Sequence, residues 1–299
     1  MSRRPRPDLE LLRDAIDMHA HTHPALFRRP IDDADLAELG LEYGMRGFVL
    51  KDHDSSTTGR AYHVSKLYAD RPIEPFGAVV LNRSAGGLDP YVAESAIHYG
   101  ARVVWMPSNH SRWHSEYFGI SDYPQLGRPK KQMPGEGLTI LDAEGMLKPE
   151  VQTIVQVVAD AGVCLATGHL SIAEIRVLQD AAIAAGVDKF LVTHANWALC
   201  KLDLEVQKEL IAKGAYLEYV AVSCVSPIFW EQNPQELAGW IKELGDENLV
   251  LSSDLGQLSA PPHPEGLRML VASLLDEGVA FEYLERMLKH NTATLLGLE

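Results

Sequence analysis

Cysteine, positive charge and long hydrophobic runs are all scarce in this sequence, and each shortage excludes a class of protein. Only three of the 299 residues are cysteines and no two form a CxxC pair, so neither a disulfide framework nor a cysteine-rich zinc site is expected. The low cysteine content predicts a reducing, cytoplasmic environment. No apolar stretch approaches the length of a membrane span.

Positive charge is the second shortage. Lys and Arg together number 27 against 41 Asp and Glu, which gives a formal net charge of −14. Such a surface repels nucleic acid and anionic membranes, so we expect neither as a partner and expect a small-molecule substrate instead. The chain is 46% hydrophobic and 23% charged, which fits a globular protein with a sizeable core. We expect one domain over residues 1–299, with room on its apolar helices for a homo-oligomer.

What the chain does contain is a regular alternation of apolar runs and helical patterns. Eight short runs rich in β-branched residues predict strands at 15–19, 47–50, 76–81, 102–106, 163–167, 190–193, 215–220 and 249–252. Helical periodicity separates most of them, at 33–43, 90–99, 149–161, 172–185, 204–213, 234–244 and 265–277, with a closing helix from 281. Helix, glycine and buried strand in repetition predict a (β/α)8 barrel of the TIM type.

One connection is much longer than the others. Residues 108–148 form an insert after the fourth strand, and residues 138–148 within it predict a β-hairpin that turns at 142–145. Long loops at the carboxyl ends of barrel strands often serve as lids or specificity elements, so we interpret this insert as a lid.

Polar side chains end five of the apolar runs. His19 and His21 lie two residues apart on the first run, so both point to one face. The other runs end in His53, His169, His194 and Asp254. The carboxyl ends of barrel strands meet at one mouth, and imidazole and carboxylate are common ligands of transition metals. These six residues therefore predict a site for a divalent metal ion: zinc first, with manganese or iron as alternatives, and one or two ions.

This pattern resembles the amidohydrolase superfamily of metal-dependent barrel hydrolases. The shared features are the His-x-His of strand one, a histidine on each of strands five and six, and an aspartate on strand eight. The segment 291–298, NTATLLGL, is also similar to the Asn-Pro-Ala-x-Leu-Leu-Gly-Leu tail common there, with Thr292 in place of proline. The resemblance implies hydrolysis of an amide, cyclic amide, lactone or related C–N or C–O bond by metal-activated water.

Two departures keep alternatives open. Many members with two metals carry a bridging Lys or Glu at the end of strand four, and this chain has neither there. Lys51, in phase with His53 at the end of strand two, could substitute, unmodified or as a carbamate. The missing bridge keeps a decarboxylase with a single metal open. The segment LKDHD at 50–54 resembles a motif of PHP phosphoesterases, although Leu255 follows Asp254 where that family places Ala-His. A barrel that keeps metal only for structure is the remaining alternative.

Roles follow from what each group can do. Asp254 can take the proton of the attacking water or act as a ligand, and His194 can bind metal or polarise the substrate carbonyl. Lys51 is the third catalytic candidate. The start of the insert and the segment after Asp254 supply polar side chains that suit a small polar substrate, namely His110, Arg112, His114 and Gln257.

Overall fold

Eight parallel strands, hydrogen-bonded in sequence order, form the centre of the molecule in a computed structural model that describes residues 6–118, 137–200 and 202–298. The strands are Ile16–Ala20 (β1), Gly47–Leu50 (β2), Glu74–Val80 (β3), Ala101–Trp105 (β4), Cys164–Ala166 (β5), Phe190–Val192 (β6), Tyr216–Val220 (β7) and Leu249–Ser252 (β8). The barrel closes just beyond β8, where Leu255 pairs with Ala20 at the end of β1. The predicted (β/α)8 barrel is confirmed.

Helices surround this sheet. They are Pro7–Leu12 (α1), Asp33–Tyr43 (α2), Thr58–Leu67 (α3), Pro90–His98 (α4), Arg112–Phe118 (α5), Pro149–Ala161 (α6), Ile172–Ala185 (α7), Leu204–Ala212 (α8), Val222–Val225 (α9), Pro234–Leu244 (α10), His263–Asp276 (α11), Phe281–Glu285 (α12) and Asn291–Leu296 (α13), with a 3-10 turn at Arg83–Ala85 and a π-helical turn at Arg286–His290. Among the described residues no helix combines the length and apolar character needed to cross a bilayer.

Local sequence signals explain where the helices begin and end. Asp32 and Asp35 form a capping box at the start of α2, and that helix ends at Gly44 with φ of 71°. Ser171 and Glu174 form the same box at the start of α7. A left-handed glycine after the helix turns the chain sharply toward the next strand, which sets the alternation of helix and strand.

The barrel interior is apolar below its carboxyl end. Met18 and Trp105 are fully buried there. Leu295 and Leu296 of α13 belong to the same buried cluster, so the C-terminal helix closes the amino end of the barrel. The interior is a packed core with a site at one end, as in other barrels of this type.

The connection after β4 differs from the prediction in detail. Residues 112–118, expected as loop, form α5, because the Ser111 hydroxyl accepts the His114 N–H at 3.0 Å and so caps a first turn. The expected hairpin is reduced to one antiparallel bridge between Leu141 and Leu147, around a turn closed by Asp142 N–H to the Met146 carbonyl at 2.9 Å. Residues 119–136 of the predicted lid lie outside the described part of the chain, and the lid stays a prediction.

Candidate metal centre

The pairing of β1 with the chain beyond β8 builds the centre. Asp254 N–H donates to the His19 carbonyl at 2.8 Å, and His21 N–H donates to the Leu255 carbonyl at 3.0 Å. These two bonds place the Asp254 side chain against both imidazoles. Asp254 and His194 have φ of 49° and 61°, a left-handed conformation that is strained for residues other than glycine. Such strain persists where the surrounding structure fixes it, and it is concentrated at functional sites.

Two imidazole nitrogens and a carboxylate oxygen converge at one point. His19 Nε2 and His21 Nε2 each lie 3.0 Å from Asp254 Oδ1. The Nδ1 of His21 lies 2.9 Å from the Lys51 carbonyl, to which it can only donate, so the neutral ring presents a lone pair at Nε2. Burial holds the pKa of His21 well below its usual range, so the ring is neutral at pH 7. A lone pair that faces a carboxylate oxygen at this distance indicates that a cation belongs between them.

Glu218 supports the centre from β7. Its two carboxylate oxygens each lie 3.2 Å from His19 Nδ1, and Oε2 also accepts the backbone N–H of His194 at 3.4 Å. Burial lowers the pKa of His19, but the carboxylates of Asp254 and Glu218 outweigh that effect and leave it raised. A carboxylate behind a ligating imidazole fixes the tautomer and makes the ring a stronger donor. Two sets could each hold a metal ion: His19 with His21 and Asp254, and His19 with His194 and Glu218.

Two further imidazoles present buried nitrogens that find no partner among the described residues. Neither ring nitrogen of His194 is hydrogen-bonded, and Nε2 of His169 is also unpaired. Burial lowers the pKa of His194 to about 3, so this ring is neutral at pH 7. Most buried polar atoms in proteins are paired, so these orphaned nitrogens fit a site that receives a metal ion or a substrate.

Lys51 lies inside the centre. Its side chain is buried, and Nζ is 2.9 Å from His19 Nε2 and 5.1 Å from the centroid of the Trp105 ring. Burial lowers the pKa of Lys51 to about 8, with the nearby carboxylates of Asp254 and Glu218 acting in the opposite direction. An amine with this pKa is neutral in an appreciable fraction of molecules near neutral pH.

His53 lies beside the converging ligands. Its ring stacks on His21 with centroids 4.8 Å apart, and Nδ1 is 2.8 Å from the Ser108 hydroxyl. It is outside both of the sets that could hold a metal ion, as is His169, so direct ligation by these two residues stays a prediction.

A cavity of about 450 Å³, including its open mouth, leads to the centre. Its lining includes five side chains of the candidate centre and its surroundings: His21, His53, His169, His194 and Asp254. The apolar part of the lining consists of Phe27, Trp197, Val222 and Phe229. The lining therefore places groups that could act on a small molecule next to an apolar surface.

Of the four predicted substrate contacts, the structure brings only Gln257 to this cavity. Its Nε2 donates to the Asp254 carbonyl at 2.9 Å. His114 is buried behind the cavity wall, with Nδ1 only 2.8 Å from His169 Nδ1, so it orients His169. His110 and Arg112 do not line the cavity, because the chain turns into α5 here and leaves Arg112 exposed in a separate surface depression.

Two residues of the site, Glu218 and Arg29, were not predicted from the sequence. Glu218 lies within the apolar run of β7 and does not end it, and its signal was a single carboxylate inside a strand. Arg29 lies in the loop after β1, yet it is only 5% exposed and lines the cavity. No local pattern distinguishes it from an arginine in a solvated loop.

Comparison with solved structures places this barrel among amidohydrolase-type folds. An amidohydrolase from Pseudomonas aeruginosa matches with a TM-score of 0.64 and 12% identity, covering 98% of each chain. A dihydroorotase from Saccharomyces cerevisiae matches with a TM-score of 0.61 and 11% identity, over 96% of this chain and 85% of that one. A lactonase from Listeria monocytogenes matches with a TM-score of 0.58 and 12% identity, over 97% and 96%. At these identities the likeness is one of fold, and in fold the predicted resemblance is confirmed.

Comparison of sequences gives the family. No curated protein matches the chain. A family model matches residues 14–218, which is more than half of the chain and includes every strand up to the middle of β7. The chain therefore belongs to DUF6282, a family of unknown function.

Proposed function

We propose that this protein is a metal-dependent hydrolase that cleaves an amide, cyclic amide, lactone or related bond of a small molecule. The observation that carries the proposal is the convergence of His19 Nε2 and His21 Nε2 on Asp254 Oδ1, each at 3.0 Å, at the end of an open cavity. A structural metal site is enclosed by protein ligands, whereas a catalytic one keeps a position open to substrate. The amidohydrolase and the lactonase among the structural neighbours support the same class of reaction.

The residues present fit a divalent cation. His19, His21 and Asp254 would hold it, and the orphaned nitrogens of His169 and His194 face the same space and could complete the set. Neutral imidazoles and an ionised carboxylate suit zinc, manganese and iron, and we place zinc first. When bound, such an ion supplies a Lewis acid that lowers the pKa of water to about 7.

Asp254 is the residue we assign to proton transfer. Burial raises the pKa of this carboxyl, but the imidazoles of His19 and His194 outweigh burial and hold it well below its usual range. The carboxylate is therefore ionised at neutral pH and can accept a proton from water. Its Oδ1 faces His19 and His21, whereas Oδ2 lies 3.7 Å from His194 Nε2, on the side that lines the cavity. From there the proton can pass to the leaving group.

His194 and Lys51 have supporting roles in this proposal. The neutral ring of His194 lines the cavity and can donate a hydrogen bond to the oxygen of a substrate carbonyl as negative charge develops there. Lys51 supplies a buried amine beside His19, where the chain lacks the strand-four bridge. Its neutral form can add to CO₂ with loss of one proton, which gives a carbamate with two oxygens for a second cation.

No feature of the described residues favours the two alternative reactions. The Ser253 hydroxyl donates to the His19 carbonyl at 3.0 Å and so fixes the backbone instead of facing a substrate phosphate. Decarboxylases share the fold, as one acting on 2,6-dihydroxybenzoate shows with a TM-score of 0.53, but the fold does not select that reaction.

The test is Asp254→Asn. Asparagine keeps an oxygen that can bind metal but cannot accept a proton, so turnover should fall by about 10²- to 10⁴-fold while most of the metal remains. Metal per chain would be measured by inductively coupled plasma mass spectrometry, and turnover on a panel of lactones, cyclic amides and N-acyl amino acids. Asp276→Asn, at an exposed position on α11, is the matched control. Equal turnover in Asp254→Asn and wild type would contradict the proposed role.

A further inference from the structure

Arg29 is a buried cation with no counter-ion in the part of the chain that the structure describes. It is 5% exposed and lines the cavity, and Nε finds no hydrogen-bond partner. Within the described residues its guanidinium forms no ion pair, and the contact it does make is with the ring of Phe27, whose centroid is 5.4 Å from Cζ. Burial lowers the pKa of Arg29 to about 10, so the group is still charged at pH 7. Burying a charge without a partner is costly, and proteins rarely retain one.

The nearby carboxylates already have partners. Asp254 Oδ1 lies 3.0 Å from Nε2 of both His19 and His21, and Asp52 forms an ion pair with Arg60 at 3.3 Å. Both act on Arg29 electrostatically, but neither is close enough to pair with it. Because no carboxylate among the described residues pairs with Arg29, an anionic occupant of the cavity would supply the partner.

The loop that carries Arg29 is held rigidly. Its two ends pair through His23 N–H to the Ile31 carbonyl at 2.9 Å. Arg60 of α3 donates to the carbonyls of Thr22, His23 and Pro24 at 3.3, 3.0 and 2.9 Å. Arg29 N–H donates to the ring of His23 at 3.2 Å. This loop is fixed before any ligand binds, which lowers the entropic cost of binding.

The wall beside Arg29 is aromatic. Phe27, Trp197 and Phe229 line it, and the rings of Trp197 and Phe229 meet edge to face with centroids 6.2 Å apart. Trp197 also lies against His194, with ring centroids 4.9 Å apart. A ligand whose anionic group pairs with Arg29 would therefore lay its body on aromatic rings, next to the candidate metal centre.

We propose that Arg29 binds the carboxylate of the substrate, and that the substrate is a small monoacid with a flat, unsaturated body that packs against Phe27 and Trp197. This inference rests on the proposed function, because it describes the substrate of the same site. Arg29 is the only Lys or Arg lining the cavity within the described ranges, so it is the one side-chain cation there that can pair with an anionic group of the substrate. A guanidinium can pair with both oxygens of a carboxylate, which fixes orientation as well as position.

The experiment compares a charged probe with a neutral one of the same shape. Benzoate and benzamide would be titrated by calorimetry into the full-length protein as purified, and again after removal of metal with a chelator. Hydrogen bonds to a charged group contribute about 1.5–3 kcal/mol, so benzoate should bind about 10- to 100-fold more tightly than benzamide. In Arg29→Met this preference should disappear, whereas Arg28→Met, a change at the exposed neighbouring arginine, should keep it. Arg29→Lys keeps the charge without the planar fork and should retain part of the preference.

Thermal unfolding separates a loss of binding from a loss of structure. Removal of an unpaired buried charge does not destabilise a fold, so Arg29→Met should melt at or above the temperature of the wild type. Benzoate should raise the melting temperature of the wild type and leave that of Arg29→Met unchanged.

Two results would overturn the assignment. One is equal affinity for benzoate and benzamide in the wild type, or an unchanged preference in Arg29→Met. The other is a preference that vanishes when metal is removed, since the carboxylate would then be binding the metal and not Arg29. The failure of this inference can be distinguished from the failure of the proposed function. If benzoate is still preferred after chelation but the protein hydrolyses nothing on the panel, the carboxylate site is supported and the proposed hydrolysis is contradicted.

Discussion

The two ends of the barrel are built from the same strands but have opposite chemistry. At the amino end, Leu295 and Leu296 of the C-terminal helix join the apolar interior and close it. At the carboxyl end, His169 and His194 present buried nitrogens that no described residue satisfies, and His194 has a strained backbone. Apolar side chains of the chain itself fill one end, whereas the other presents buried nitrogens that find no partner among the described residues.

This difference separates stability from function within one sheet. Apolar groups that fold the chain can be buried by the chain itself, as Leu295 and Leu296 are at the closed end. Groups that bind a metal or a substrate have to remain unsatisfied until the ligand arrives, so they reduce stability in its absence. The predictions below test whether the two ends are as independent as this comparison implies.

The largest effect is expected at the carboxyl end. In His19→Ala/His21→Ala the converging lone pairs are lost, so the protein should purify with less than about a tenth of the metal bound by the wild type. His63→Ala/His98→Ala, at positions on α3 and α4 outside the cavity, is the matched control. Metal per chain would be measured by mass spectrometry. Full metal content in the double variant would mean that the ion binds elsewhere.

At the amino end the expected loss is in stability and not in metal. Leu295→Ala removes a fully buried side chain from the apolar cluster, which should lower the free energy of unfolding by about 2–5 kcal/mol. Leu258→Ala, at a side chain that is 58% exposed, should change it by less than about 0.5 kcal/mol. Urea denaturation measures the stability and mass spectrometry the metal content. A loss of metal in Leu295→Ala would show that the two ends are energetically linked.

Most of the scaffold was predictable from the sequence because hydrophobic periodicity and helix-capping residues are local properties of the chain. The bounds of β2, β8, α2, α6, α7 and α10 agree with the structure to the residue, and each of those helices has a capping side chain, an N-terminal proline or a following glycine. Helix α5 was missed because its cap, Ser111, also donates its hydroxyl to the His169 carbonyl, and that tertiary contact leaves no trace in the local pattern.

The candidate site was predictable only in part, for a related reason. Four residues of the site can be recognised in the sequence because they end apolar runs, and the structure brings them together: His19, His21, His194 and Asp254. Glu218 is a carboxylate inside a strand, and it becomes recognisable only when the barrel places it behind His19. The burial of Arg29 depends on how Arg60, more than thirty residues further along the chain, holds the loop. Contacts of this length cannot be deduced from one sequence.

Glu218 also gives the next prediction. Glu218→Gln keeps an oxygen that accepts from His19 Nδ1 but removes the negative charge that makes this ring a stronger donor. Loss of such a supporting carboxylate typically weakens metal binding about 10- to 100-fold, with the same number of ions at saturation. Competition against a metal-binding dye measures the affinity, and Glu205→Gln, on the exposed face of α8, is the control. An unchanged affinity for the metal ion would show that Glu218 does not support the centre.

The smallest effect is expected near the amino end and depends on pH. Asp8 of α1 accepts hydrogen bonds from Arg6 and Arg268, both at 2.7 Å, and the bond from Arg6 is the main reason why the pKa of this carboxyl is well below its usual range. A carboxyl whose pKa is lower in the folded state than in the unfolded state stabilises the fold when the pH is above the unfolded pKa. That contribution is lost as the pH falls toward the folded pKa.

Because Arg6 is exposed, Asp8→Asn should cost at most about 1 kcal/mol at pH 7, and the difference from wild type should shrink steadily below about pH 4. Urea denaturation between pH 3 and 7 measures the difference, and Glu10→Gln, at an exposed position on the same helix, is the matched control. Since Asp8 is remote from the cavity, its loss should leave metal affinity unchanged at every pH, and a parallel fall in affinity would contradict the independence of the two ends.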